Sequence, residues 1–416
     1  MTRYSALALL RAGFSGQRHW PRAWRDPEPK KHYDVVVIGG GGHGLSTAYY
    51  LARVHGVKSI AVLEKGWIGG GNTGRNTTIV RSNYRQPALH NLFDFALTLW
   101  EGMSDELNYN VMFSPRGALF LGHSDSDMTR LAERGDALRC AGIDAELLTR
   151  DQVHKIVPLL DMSPDARCRV HGGPTRRRGG TARHDAVAWG YARAASHLGV
   201  HIIQSCEVTG FIIRNGRVQG VETSLGEIHA PRTGMAVAGH SSVIARKAGL
   251  RLPISSYALQ AFVSEPVKPC LDTVLLSPAT GVYVSQSDKG ELVLGAGLDL
   301  YLSYAQRGNL PWLERAAAGL VELFPQFSRM RFLRQWAGIV DVVHDSSPII
   351  GRTDVDGFYI NCGWGTGGFK AIPAGGWCLA HVMATGESHP LAQAFGLERF
   401  RTGALVDEAS ASGIAH

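Results

Sequence analysis

Long hydrophobic runs are missing from this 416-residue sequence. No apolar stretch approaches the ~20 residues that cross a bilayer as a helix, so a soluble, cytoplasmic chain with no membrane contact is expected. Cysteine is sparse, at Cys140, Cys168, Cys206, Cys270, Cys362 and Cys378. None forms a C-x-x-C pair, and the spacings suit neither a zinc site nor a small disulfide scaffold. No metal is expected, and reduced thiols fit a cytosolic protein. Acidic residues are in deficit, 36 against 43 basic ones, for a net charge of +7. A basic surface suits nucleic acid, a membrane or an acidic partner. No RNA- or DNA-binding motif accompanies the charge, which leaves a solvated surface or a partner subunit. Compositional bias is also lacking. With 44% hydrophobic and 19% charged residues the chain is ordinary globular material, not a disordered one. At roughly 100–200 residues per domain, two interleaved domains are the default.

The positive charge clusters in two places. Arg3, Arg11, Arg18, Arg22 and Arg25 crowd the start, and Arg176-Arg177-Arg178 forms a run. Residues 1–30 hold no acid before Asp26, and their apolar stretch, Ala6 to Leu10, is too short for a secretory signal. A mitochondrial transit peptide has similar composition. Trp20 and Trp24, followed by Pro27-Glu28-Pro29, favour instead an arm that lies on another surface.

What is present in strength is a nucleotide-binding pattern. Residues 34–38, Asp-Val-Val-Val-Ile, read as a parallel strand buried on both faces. Gly39, Gly41 and Gly44 then form G-x-G-x-x-G, with Gly40 and Gly42 between them. A helix is predicted from Leu45 to about Val54, then a strand from about Ser59 to Leu63, ending in Glu64. The first glycine permits the tight turn, the second lets backbone approach a pyrophosphate, and the third lets helix pack on strand. The helix N-terminus offers unpaired N–H groups to phosphate. Glu64 follows Gly44 by 20 residues, where an acid accepts hydrogen bonds from ribose hydroxyls. Such an acid fits FAD or NAD better than NADP. A second glycine-rich loop, Gly69 to Asn76, follows at once and suggests backbone wrapping the larger cofactor, FAD.

A second strand–glycine–helix lies near the C-terminus. Phe358 to Asn361 reads as a strand, Gly363, Gly365, Gly367 and Gly368 as a loop, and about Gly375 to Ala384 as a helix. Its N-terminus could stabilise negative charge on a reduced ring; a tight structural turn is the plainer reading. Arg334 to Ile339 and Asp345 to Gly351 read as strand and turn. A helix at about 186–198 leads into a strand, His201 to Gln204. The following Cys206 to Gly210 could cover the adenine end of a dinucleotide, or form an ordinary core strand.

Taken together, five segments resemble the beta subunits of heterotetrameric sarcosine oxidases. They are Gly39–Gly44, Glu64-Lys65-Gly66, Asn76 to Tyr84, Arg183-His184-Asp185-Ala186-Val187-Ala188-Trp189 and Asn361–Lys370, and the likeness runs from about Tyr4 to His416. The resemblance implies an α/β fold of the D-amino-acid oxidase and glutathione reductase type. A Rossmann-like FAD-binding domain would be joined to a mixed-sheet substrate domain. The expected layout is a basic N-terminal arm at 1–30, an FAD-binding domain from 31–115, 181–255 and 338–390, a substrate domain from 116–180 and 256–337, and a C-terminal tail at 391–416.

The same resemblance implies noncovalent FAD, contacted by Gly42, His43, Glu64, Asn72, Thr77 and Ile79, with Val208 near the adenine and Gly365, Gly368 and Lys370 on the flavin side. It implies FMN carried covalently on His184, near the boundary with an alpha subunit that binds NAD. Gamma and delta subunits would complete the assembly. Arg81 and Lys370 would hold the substrate carboxylate. Sarcosine would give glycine, its methyl group passing to tetrahydrofolate or leaving as formaldehyde, with oxygen becoming hydrogen peroxide.

Chemistry supports those residue types. Arg81 offers a bidentate fork and Lys370 a point charge for a carboxylate. Two cations near a substrate amine also disfavour its ammonium form. Without the family, Arg81 reads as a strand-end arginine, Lys370 as a helix-flanking lysine, His43 as a loop histidine facing solvent, and His184 as a structural histidine before a helix. The chain departs from the family at Ser256-Tyr257-Ala258-Leu259-Gln260, where a His-Pro pair is usual, near Tyr301 to Gln306, and at His171 and Pro174. These departures bear on the substrate. An FAD-dependent dehydrogenase of another N-methyl or secondary amino acid is the alternative, and a flavin-bearing assembly subunit with little turnover is a third.

Overall fold

The computed structural model describes residues 5–18, 22–84 and 86–407. Its centre is a six-stranded sheet. In spatial order the strands are Ile349–Arg352, Phe358–Cys362, Thr233–Met235, Val35–Ile38, Ile60–Leu63 and His201–Ile203. All pair in parallel except the edge strand Ile349–Arg352. Strand alternation divides the run at 35–38 between two layers. Val35 and Val37 pack with Ile60, Val62 and Ile202 under the helices Gly42–Arg53, Pro87–Glu106, His184–His197 and Ile372–Thr385. Val36 and Ile38 pack with Ala61, Leu63, Ile203 and Val208 on the opposite face. There a three-stranded antiparallel sheet, Val208–Arg214, Arg217–Thr223 and Gly226–His229, covers them. Each such buried Val or Ile contributes about 1.5–3 kcal/mol, which explains why the run is apolar on both faces.

The second large sheet has eight strands. In order they are Phe332–Val343, Ile254–Pro266, Glu291–Leu302, Val282–Gln286, Val274–Ser277, Ala118–Phe120, Gly172–Arg176 and Glu146–Thr149. All neighbours are antiparallel except Val274–Ser277 with Ala118–Phe120. A two-stranded ribbon, Ile79–Val80 with Gly180–Thr181, forms a further sheet. The division expected at 337/338 falls inside the strand Phe332–Val343. That strand pairs with Ile254–Pro266 from Phe332 to Val343, so it stays in one sheet throughout.

Described residues near both ends contact the rest of the chain. Ala6–Phe14 is a helix with no buried residue, capped by Ser5. Trp24, however, packs on this chain's own core, and the Arg25 N–H donates to Ser196 Oγ at 2.9 Å; Trp20 lies outside the described residues. At the other end Arg399 and Asp345, 4% and 1% exposed, form a buried ion pair that ties residues 391–407 to the six-stranded sheet. The Arg176-Arg177-Arg178 run is not a uniform basic surface. Arg176 points inward at the end of its strand, Arg177 pairs with Glu146, and Arg178 pairs with Glu101 and Asp94. Among the described residues no helix is long and apolar enough to cross a membrane, and no cluster of His, Cys, Asp and Glu suits a metal.

Candidate active site

Between the two large sheets lies a cavity of about 1240 Å³. Every candidate site residue from the sequence lines it except Gly44 and His184. The first glycine loop forms its floor. Gly39 has φ +108, and a Cβ there would stand 2.4 Å from the Ala236 carbonyl oxygen. A Cβ on Gly44 would stand 1.9 Å from the Gly39 carbonyl oxygen. Gly44 thus serves the cavity from behind, by letting the helix pack on the strand end. That helix begins at Gly42, three residues before the expected Leu45. Its N-cap, Gly41, has no side chain to satisfy the first-turn N–H groups.

The second glycine loop closes over the first. The Gly69 N–H donates to the Gly40 carbonyl at 2.9 Å, and the Gly42 N–H donates to Thr73 Oγ1 at 2.9 Å. Thr73 was not anticipated, yet it meets the helix N-terminus where an anion is favoured. Glu64 accepts from the Gly40 and Gly66 N–H groups, both at 2.8 Å. A carboxylate has about four acceptor sites, so two remain for ribose hydroxyls. Asn72 uses its amide on the Ile339 backbone, accepting that N–H at 2.9 Å and donating to that carbonyl. Its side chain clamps the loop to the strand Phe332–Val343. Thr77 donates to the Tyr283 hydroxyl at 3.2 Å, and Ile79 sits in the short ribbon. Cys206, Glu207 and Val208 line the end of the cavity beside Glu64.

The C-terminal loop supplies the facing wall. The helix after it begins at Ile372, earlier than the expected Gly375, because Pro373 is tolerated in a first turn. His43 does not face solvent as a loop residue. It lies in the first turn of the helix Gly42–Arg53, where Nε2–H donates to the Gly368 carbonyl at 2.8 Å. Nδ1 then accepts from Asn361 Nδ2 at 3.2 Å, and Asn361 Oδ1 accepts from Trp364 Nε1–H at 2.6 Å. The His43 ring stacks on Trp364 with centroids 4.9 Å apart. Burial pushes its pKa down to about 4 against the pull of the Gly368 carbonyl, so the ring is neutral at pH 7 with a fixed tautomer.

Two basic side chains face the cavity from different elements. Arg81 follows the short ribbon, is 8% exposed, and donates through Nη1 to Asn83 Oδ1 at 2.6 Å. Its guanidinium lies over the Tyr84 and Phe120 rings. Lys370 is 6% exposed and donates through Nζ to the Thr366 carbonyl at 3.0 Å. Burial, and then the charge of Arg81, hold the Lys370 pKa well below its ordinary value. Asp341 is a further buried group in the wall, with Oδ2 accepting the Gly363 N–H at 2.6 Å. Burial raises its carboxyl to about 7, although the N–H groups of Gly363, Trp364 and Gly365 pull the other way. Its sequence signal was a lone acid in the β-branched run Ile339-Val340-Asp341-Val342-Val343.

The pattern of the FAD dependent oxidoreductase family matches residues 34–382. Full-length relatives agree. The sarcosine oxidase subunit beta of Rhodobacter capsulatus is 52% identical over 416 residues, covering 100% of both chains. That of Rhizobium meliloti is 54% identical over 406 residues, covering 98% of this chain and 97% of its own. This chain belongs to the FAD-dependent oxidoreductases, in the sarcosine oxidase beta-subunit family. Among solved structures, L-proline dehydrogenase from P. horikoshii superposes with a TM-score of 0.85 at 28% identity, covering 91% of this chain and 100% of its own. The lower identity of that dehydrogenase does not favour the alternative reading over the sarcosine oxidase family.

The family's cofactor fits what the chain presents. A glycine floor, a helix N-terminus whose N-cap glycine has no side chain and a carboxylate with acceptor sites to spare surround one large cavity. His184 stands apart from that cavity. It opens the helix His184–His197, with Nδ1 sealed from solvent and without a hydrogen-bond partner in the protein. Burial lowers its pKa, with Asp185 opposing and Arg183 assisting.

Proposed function

We propose that this chain is the flavin-bearing beta subunit of a sarcosine oxidase. The reaction is oxidative demethylation of sarcosine to glycine, with formaldehyde or 5,10-methylenetetrahydrofolate and hydrogen peroxide as the other products. The observation that carries this reading is the buried cation pair, Arg81 and Lys370, in the same cavity as the glycine floor. The relatives that are 52% and 54% identical, named as sarcosine oxidase beta subunits, support it.

FAD, when bound, supplies the two-electron redox chemistry. Gly39, Gly41, Gly42, Thr73 and Glu64 would hold its phosphate and ribose parts, and Gly365, Gly368 and Lys370 would lie on its flavin side. Arg81 takes the substrate carboxylate with its planar fork and Lys370 adds a point charge. An anion between them compensates two charges that burial otherwise penalises. Holding the carboxylate fixes the rest of a small substrate, mostly a positioning effect. The same cations disfavour an ammonium beside them, which keeps the substrate amine in its reactive neutral form. His43 carries no charge at pH 7, so it adds no third cation to that wall.

His184 carries FMN covalently in this reading, supported by its family motif, its orphan Nδ1 and its neutral ring. Alpha, gamma and delta subunits complete a heterotetramer, with tetrahydrofolate as the acceptor of the oxidised one-carbon unit. The test is made on the chain purified with its co-expressed partners. Anaerobic sarcosine should bleach the flavin absorbance, and acid precipitation should leave flavin of FMN mass on the peptide that contains His184. Absence of bleaching refutes sarcosine oxidation, whereas complete release of flavin refutes only the covalent FMN.

A further inference from the structure

A second, much smaller recess of about 20 Å³ lies beside the large cavity. Arg81, Phe120 and Arg134 line both spaces, and Arg176 and Asn83 add to the wall of the small one. Arg176 is the decisive residue. It is 5% exposed at the end of the strand Gly172–Arg176. One guanidinium nitrogen, Nη1, donates to Ser82 Oγ at 2.5 Å. The other two, Nε and Nη2, are sealed from solvent with no hydrogen-bond partner in the protein.

The acids nearby do not resolve this. Asp94 Oδ1 stands 3.8 Å from Arg176 Nη2, beyond hydrogen-bond length, and is also paired with Arg178 at 3.4 Å. Asp144 contributes attraction, while Arg178 and Arg81 contribute repulsion. Burial dominates and pulls the Arg176 guanidinium down to about 10. A buried cation with idle donors is costly, and such groups in folded proteins ordinarily meet a water or an ion.

The other two arginines are fixed by one residue. Arg81 donates to Asn83 Oδ1, and Arg134 donates to the Asn83 carbonyl. Their guanidiniums stand 5.5 and 5.9 Å from the centre of the Phe120 ring. Three arginines therefore line, beside apolar residues such as Phe120, Leu131 and Leu138, a space of about one water-sized sphere. A carboxylate or phosphate is too large for it. A water fits but adds no negative charge to the distant Asp94.

We propose that this recess is a binding site for a small monovalent anion of chloride size, held by Arg176, Arg134 and Arg81. The anion compensates Arg176 and fixes the back of the wall whose front presents Arg81 to the large cavity. This inference stands apart from the reaction proposed above, because occupancy of the recess is read without turnover.

The probe is bromide, measured on crystals of the flavin-loaded assembly. An anomalous peak between Arg81, Arg134 and Arg176 is expected, and it should vanish in Arg176→Met. In solution, the Tm of the wild-type assembly should rise saturably as chloride replaces gluconate at constant ionic strength. A recess without anomalous signal means that water alone occupies it and overturns the proposal. A peak that persists unchanged in Arg176→Met overturns it too, as does a Tm indifferent to chloride. If Arg176→Met fails to fold, the two wild-type measurements still decide.

Discussion

Replacing Asp341 with asparagine should flatten the pH dependence of stability between about pH 5 and about pH 8. The Asp341 carboxyl is 2% exposed, and burial raises it from 3.8 to about 7. Between those values the folded chain keeps a proton that the unfolded chain releases. The stabilisation is therefore fully present below the ordinary carboxyl pKa and is lost as pH rises through the folded one. The interval corresponds to about 4 kcal/mol in total. Of this, roughly 3 kcal/mol is lost between about pH 5 and about pH 8. An asparagine amide in its place would keep an acceptor oxygen for the Gly363 N–H while removing the titration. Guanidinium unfolding of both proteins across this range measures the difference directly. The wild type should lose stability relative to Asp341→Asn as pH rises. Parallel curves would refute the argument, because they would mean that Asp341 titrates alike in both states.

The remaining predictions concern single contacts. Arg81→Lys removes a planar fork and should lower kcat/KM for sarcosine by about 10- to 100-fold, the loss of a charged hydrogen bond; unchanged steady-state kinetics would remove Arg81 from the carboxylate site. Gly44→Ala places a methyl 1.9 Å from the Gly39 carbonyl oxygen. It should yield protein with depressed flavin content, read from the ratio of visible to ultraviolet absorbance. A full complement of flavin would show that the helix can retreat without spoiling the floor. Arg399→Met leaves Asp345 buried without its partner and should cost about 3–5 kcal/mol in urea unfolding. A cost under about 1 kcal/mol, the range of exposed pairs, would mean that the pair is not sealed.

The central sheet was legible because its requirements are local. Four consecutive buried β-branched residues, a glycine turn and an acid at the next strand end can be read from one stretch of chain. Helix starts were less legible. The first turn at Gly42–Gly44 is built from residues with poor helix propensity, so periodicity begins only at Leu45. Ile372 was hidden in the same way by Pro373 and the glycines after it. The eight-stranded sheet left little trace, since its strands come from distant segments and their pairing is set by tertiary contact. Expected divisions at 255/256 and 337/338 fall inside Ile254–Pro266 and Phe332–Val343, the two strands that pair along that sheet's edge.

Charged residues show the limit most clearly. Arg176, Arg177 and Arg178 are indistinguishable as letters, and together they suggest one basic patch. The end of the strand separates them by burial: Arg176, its last residue, enters the protein beside Ser82, and Arg177, just beyond it, pairs on the surface with Glu146. Which one turns inward depends on the register of Gly172–Arg176 against Ala118–Phe120 and Glu146–Thr149. A shift of one residue would turn Arg176 to the other face of the sheet. It would also move a cation away from the wall behind Arg81. The inward turn of Arg176 is fixed by the pairing of Ala118 opposite Arg176, and Arg81 by that of Ile79–Val80 with Gly180–Thr181, neither of which any local pattern announces.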